Sequence, residues 1–197
     1  MAKIKTKRDR VKFASDNVTG ACPEVLDAIL KANDGDRTPY GNDEISKSLQ
    51  DKFSEIFEKE VIVFPTSSGT AANALALSTM TPSFGNIYCH KLSHINVDEC
   101  GAPEFYTGGA KLVTLKGDNG KITAEELNKS ISGKGIVHHT QPSSVSITQL
   151  CETGEAYQLD EIKKISEIAN NHKLNMHMDG ARFANALVSL DCSPAEM

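Results

Sequence analysis

Apolar positions along the chain recur with two periods, and the two alternate. In PEVLDAILKAN (Pro23 to Asn33), Val25, Leu26, Ile29 and Leu30 fall on one helical face, and the leading proline occupies a first-turn position where its missing N–H costs nothing. After the turn-forming DGDRTPYGND, the spacing of Ile45, Leu49, Phe53 and Ile56 in EISKSLQDKFSEIF predicts a second helix. Short β-branched or apolar runs predict strands at VIVF (61–64), NIYC (86–89), KLVTL (111–115), GIVHH (135–139), VSITQL (145–150) and LNMHMD (174–179). Between the last two, LDEIKKISEIANNH (159–172) places Ile162, Ile165 and Ile168 at helical spacing. Helices and strands taking turns predict an α/β layer architecture, and β–α–β returns predict a mainly parallel sheet. In such sheets ligands sit beyond the carboxyl ends of the strands.

Two stretches would lie at that end. VIVFPTSSGTAANALAL (61–77) runs from a β-branched block through a Thr/Ser/Gly turn into an Ala/Leu helix. A helix start offers free backbone N–H groups and the positive end of the macrodipole, which suit a phosphate or carboxylate, and Gly69 lets the ligand approach the backbone. No lysine follows the glycine as in the nucleoside-triphosphate loop, and the triple-glycine dinucleotide fingerprint is absent. An N-capped core helix with no ligand fits the same residues. The second stretch is MHMDGARFANAL (176–187). With Leu174, Met176 and Met178 on one side of a strand, Asn175, His177 and Asp179 face the other, and Asp179 stands at the strand's end. Alone, Asp179 could cap the next turn or pair with Arg182. An anion-binding helix start, an acid ending a later strand and an arginine just beyond it are together what pyridoxal phosphate requires. The acid, hydrogen-bonded to the pyridine nitrogen, favours the protonated ring that serves as electron sink.

Charge and cysteine content narrow the partners. The net formal charge is −5, but residues 1–12 hold six Lys/Arg against one Asp, leaving 15 basic and 25 acidic residues in the remainder. Nucleic acid is therefore not an expected partner, and no span is long and apolar enough to predict a membrane crossing. Residues 1–22 are read as a solvated N-terminal arm and 23–197 as one cofactor-binding domain. Five cysteines without a C-x-x-C pair predict neither a disulfide framework nor a structural zinc site, which fits a reducing cytoplasm. His90 and His94 have i, i+4 spacing, yet KLS between them supplies no carboxylate and no third ligand is evident, so no metal is expected.

Taken in order, ASDNVTGACPEVLDAI, TPYGND, FPTSSGTAANALAL, LSHINVDECGAPEF, VSITQLCETGEAYQLDEI and MHMDGARFANAL resemble the L-threonine aldolases of the beta-eliminating lyase group, pyridoxal-phosphate enzymes of fold type I. The resemblance spans nearly the whole chain. It implies a three-layer α/β/α large domain, a small amino-acid substrate and a homo-oligomer, dimer or tetramer. Carried over residue by residue, it makes Ser68, Gly69, Thr70 and Ala71 the phosphate turn and His94 the imidazole that stacks on the cofactor and assists proton transfer. Asp179 becomes the partner of the pyridine nitrogen and Arg182 a neighbouring cofactor contact. Ser15 matches a residue near the substrate carboxylate, and Tyr40 a residue lining the site. The implied reaction is retro-aldol cleavage of a β-hydroxy amino acid, L-threonine or L-allo-threonine, to glycine and an aldehyde.

Two departures stand out. Some family members carry a histidine in the loop after the fifth strand, where this sequence reads QLCETGEAY with Glu152 the nearest ionisable group. The Schiff-base lysine of the family follows the DGAR motif, whereas the last lysine here is Lys173, before it. The expectation is a large domain truncated before that lysine and before a C-terminal small domain, inactive alone. The alternatives are another fold type I lyase (β-elimination) or a transaminase, and a non-catalytic binding or structural domain.

Overall fold

The computed structural model describes Ser15 and residues 18–197; most of the arm read at 1–22 lies outside them. The chain forms two compact units, Met1–Lys47 and Ser48–Met197. In the first, α1 (Pro23–Ala32) begins with its proline in the first turn and carries Glu24 at its start and Lys31 at its end, each the favourable sign for the helix dipole. Its apolar residues Val25, Leu26, Ile29 and Leu30 are exposed. Asp43 ends the connecting turn by accepting from Ser46 N (2.8 Å) and Ser46 Oγ (2.6 Å), which caps α2 (Glu44–Ile56) and holds its carboxyl below the usual range. Helix α2 continues into the second unit.

The second unit is built on four parallel strands, β1 (Gly85–His90), β2 (Lys111–Leu115), β3 (Gln141–Thr148) and β4 (Asn175–Asp179), in the order β2-β1-β3-β4. The chain moves outward from β1 to β2, then crosses back to the other side of β1. That reversal between β1 and β3 creates the switch point where open parallel sheets bind ligands. Every residue of central β1 is buried. Its alternation sends Tyr88 to one face, into a core with Leu115, Val145, Ile147, Tyr157, Ile162 and Ile165, and sends Ile87 and Cys89 to the other, with Leu77, Ile95 and Ala110. The first core joins the sheet to α6 (Ala124–Ser130) and α7 (Leu159–His172), the second to α3 (Gly69–Met80) and the short α4 (His94–Val97), and the short α5 (Ala102–Tyr106) packs on α3. Two covered faces make three layers.

Helix α7 has the bounds that its apolar spacing predicts, and β2 coincides with KLVTL. Two predicted strands do not form. VIVF at 61–64 is irregular: Val61 N donates to Ser54 Oγ (3.3 Å) and Val63 N to Gln50 Oε1 (3.0 Å), so side chains of α2 take the amides a neighbouring strand would have paired. Ile62 and Phe64 remain 72% and 80% exposed. GIVHH at 135–139 is wound into turns closed by Ile136 N on the Gly133 carbonyl and His139 N on the Ile136 carbonyl, with Gly133 and Gly135 at positive φ. The Gln141 amide then ties the loop, donating to the carbonyls of Gly133, Ile136 and His139 and accepting from Gly135 N. Strand β3 consequently starts at Gln141, four residues before VSITQL, and ends two residues before it does. Among the described residues no helix is long and apolar enough to cross a membrane.

Candidate functional site

The site is assembled at the carboxyl ends of β1, β3 and β4. Helix α3 starts there with extended Ser68 as N-cap, whose Oγ accepts from Ala71 N (3.2 Å) while its carbonyl accepts from Ala72 N. The Gly69 and Thr70 N–H groups have no carbonyl within the helix to bond, which leaves two donors at its positive end. A Cβ built on Gly69 would meet no atom within 4 Å, so there is room above this turn. The Ala71 N–H, bonded to Ser68 Oγ, is not one of these two open donors.

Asp179 ends β4 and is buried. Its Oδ1 accepts from Ala181 N (3.0 Å), the local turn cap that the sequence allows, and its Oδ2 accepts from Asn73 Nδ2 (3.0 Å), one turn into α3 from Gly69. Arg182 is not its partner. The guanidinium donates through Nε and one terminal nitrogen to the carbonyl of Leu150 (3.1 and 2.9 Å), just past β3, and lies 4.0 Å from Glu152.

His94 begins α4, four residues after β1 ends. Two carboxylates hold it. Glu152 Oε1 accepts from its backbone N–H (2.9 Å), and Glu99 Oε1 lies 2.8 Å from Nδ1. A carboxylate can only accept, so Nδ1 carries the hydrogen, and in the neutral form of the ring Nε2 would be the bare nitrogen. The His94 side chain is 40% exposed and that of Glu99 is fully buried. Asn73 Nδ2 also donates to Glu99 Oε1 (2.8 Å), so one amide bridges the carboxylates of Glu99 and Asp179. Ligand atoms of His94, Glu99 and Asp179 lie within 4.8 Å of one another, but the amide hydrogens of Asn73 already point at both carboxylates from within that group.

The phosphate turn, His94, Asp179, Arg182 and the undecided Glu152 are thus connected through hydrogen bonds or adjacent turns of one unit. Ser15 and Tyr40 belong to the first unit, where Ser15 accepts from Val18 N through its carbonyl and Tyr40 stands in a turn at φ 63°, almost wholly exposed. Sequence reasoning passed over Asn73 and Glu99. The available signal was an amide inside the otherwise apolar run ANALAL, one turn after the glycine. Cys89 and Cys151 are buried thiols pushed up to about 11 and about 12, chiefly by burial, which removes them as nucleophiles. A separate cavity of about 620 Å³ opens along β2, lined among others by Lys111, His138 and His139, and shares no residue with this cluster.

The model of the beta-eliminating lyase family matches residues 12–197. The chain belongs to this family. Within it, the chain is 43% identical over 186 residues to the low specificity L-threonine aldolase of Pseudomonas sp. (strain NCIMB 10558), a match that covers 94% of this chain and 54% of that protein. The Leishmania major threonine aldolase structure superposes with a TM-score of 0.84 at 28% identity, over 91% of this chain and 53% of that one. Cystalysin from Treponema denticola, which contains pyridoxal 5'-phosphate, is 16% identical with a TM-score of 0.56 over 80% of this chain and 40% of its own, and shows the fold alone. The chain spans about half the length of the relatives it matches. The fold is a three-layer α/β/α arrangement on a parallel sheet, as in fold type I enzymes.

Proposed function

We propose that this chain is the cofactor-binding part of a pyridoxal-phosphate-dependent aldolase that cleaves a β-hydroxy amino acid, L-threonine or L-allo-threonine, to glycine and an aldehyde. The observation that carries the reading is Asp179, a buried carboxylate at the end of β4 joined through Asn73 to the helix whose first turn has free donors and open space. The named activity of the Pseudomonas and Leishmania relatives supports it.

The residues present fit the cofactor. The Gly69 and Thr70 N–H groups, with Ser68 and Ala71 shaping the turn, would hold its phosphate, and each oxygen of Asp179 keeps a lone pair for the pyridine nitrogen. Arg182, braced on Leu150, would add positive charge nearby. When bound, pyridoxal phosphate supplies the electron sink for the pair left at Cα as the Cα–Cβ bond breaks. His94 acts as base through Nε2: Nδ1–H is spent on Glu99, and the bare nitrogen accepts the proton of the β-hydroxyl. Ser15 is assigned to the substrate carboxylate and Tyr40 to the site lining, and the cytoplasm is the compartment. The exposed apolar residues of α1, together with Ile62, Phe64 and Phe105, fit a homo-oligomer.

Titration with pyridoxal phosphate, followed by its absorbance, tests the reading. Saturable binding that falls at least about tenfold, or about 1.4 kcal/mol, in Asp179→Asn supports it. Equal binding by both proteins, or none by the parent chain, overturns it.

A further inference from the structure

Asn73 is a buried amide in a helix whose other buried residues, Ala74 and Leu77, are apolar. Its two Nδ2 hydrogens meet two different buried carboxylates, Glu99 Oε1 at 2.8 Å and Asp179 Oδ2 at 3.0 Å. Two carboxylates this close and this buried repel one another, and the guanidinium of Arg182 is turned to the Leu150 carbonyl. Packing alone would favour an apolar residue at position 73. Glu99 is held in an unusual way. Its Oε1 takes both Asn73 Nδ2 and His94 Nδ1, while its Oε2 is buried without a partner. Leaving a buried oxygen without a donor is unfavourable, and the carboxylate keeps this orientation because both donors converge on its other oxygen.

We infer that Asn73 and Glu99 are positioning residues. Asn73 clamps the Glu99 and Asp179 carboxylates together, and Glu99, so oriented, keeps His94 in the Nδ1–H tautomer with Nε2 free to accept a proton. The catalytic meaning of this clamp rests on His94 being the base and Asp179 the cofactor's partner, but the clamp itself is a property of the chain. It also predicts a polarity rule. Because Asn73 presents hydrogens, a glutamine at position 99 must turn its amide oxygen toward the shared position, and that oxygen still accepts from His94.

The test is the tautomer of His94 in the chain without cofactor, read from long-range 1H–15N correlations of histidine-labelled protein, with His94→Gln assigning the signals. At a pH of about 8, above the ordinary histidine range, the parent chain should show Nδ1–H with an unprotonated Nε2. Glu99→Ala and Asn73→Leu should convert the majority of His94 to the Nε2–H form, and Glu99→Gln should retain Nδ1–H. An Nε2–H tautomer in the parent, an unchanged tautomer in natively folded Glu99→Ala or Asn73→Leu, or conversion in Glu99→Gln would each overturn the clamp. Should Asn73→Leu fail to fold, Asn73→Ser makes the same test with less strain on packing. Pyridoxal phosphate titration is independent of this readout. Absent cofactor binding with the stated tautomers would sink the functional reading and leave the clamp, and the reverse pattern would sink the clamp alone.

Discussion

Helices α3 and α7 start from the same problem, free N–H groups at the first turn, and solve it in opposite ways. Helix α7 closes its own end: Glu161 accepts from Gln158 N (2.7 Å) and pairs with Lys121 (2.7 Å), while Lys164 and Asp160 meet on the solvent side. Its inward face is apolar, with Ile162, Ile165 and Ala169 buried. Helix α3 satisfies only Ala71 through Ser68, leaves Gly69 and Thr70 open, and buries a polar Asn73 between two acids. The difference teaches where each kind of free energy is placed. Polar groups that stabilise a helix can be supplied by its own neighbours in sequence, whereas polar groups that shape a site are left to be met by distant residues or by a ligand.

The largest expected effect belongs to α7. Ile165→Ala removes a buried side chain from the main core and should cost about 2–5 kcal/mol in urea unfolding, with cofactor affinity of the remaining folded molecules unchanged. A loss of affinity matching the loss of stability would erase the contrast between the helices. Asp179→Asn comes next. An amide there has one oxygen for two donors, Asn73 Nδ2 and Ala181 N, so its own Nδ2 must face one of them and a stability loss of about 1–3 kcal/mol should accompany the fall in cofactor binding. Retained stability would mean that the Asn73 bridge contributes little.

Gly69→Val sharpens the comparison from the other helix. The position has open space around it, so thermal stability should move by no more than about 0.5 kcal/mol, while cofactor affinity drops about tenfold. Equal damage to both would return the turn to a structural cap. The smallest effect concerns His177, buried on β4 with Nδ1 2.9 Å from Ser146 Oγ. Burial lowers its pKa from 6.5, with Asp179 pulling the other way, so the folded chain holds the neutral ring. The unfolded chain takes up a proton first as pH falls through 6.5. The stabilising contribution is therefore complete above that pH and is lost as pH falls toward the lowered folded value. The slope should be shallower than about 1.4 kcal/mol per pH unit, and His177→Gln should flatten it. An unchanged slope in that variant would assign the acid sensitivity to other groups.

Legibility followed the range of the forces involved. Helix α7, strand β2 and a capped start of α3 in the Thr/Ser/Gly turn could be read from the sequence, because spacing and capping act over a few residues. VIVF and GIVHH carry strand-like composition and form no strand, since a strand exists only where a neighbour pairs it. Here Gln50, Ser54 and Gln141 take the backbone groups instead. Asp179 stood out by type and position and His94 through the family resemblance, but their partners did not.

What the sequence determined alone was local: the alternation of helix and strand, the open helix start at Gly69, and a carboxylate placed where a strand must end. Only the tertiary structure decided that Arg182 braces Leu150 rather than Asp179, that Glu152 and Glu99 both hold His94, and that Asn73 joins two acids 26 and 106 residues away. The reason is physical. Periodicity and capping are written in neighbouring residues, whereas the partner of a buried polar group is chosen by which distant elements the packed sheet brings within hydrogen-bonding reach.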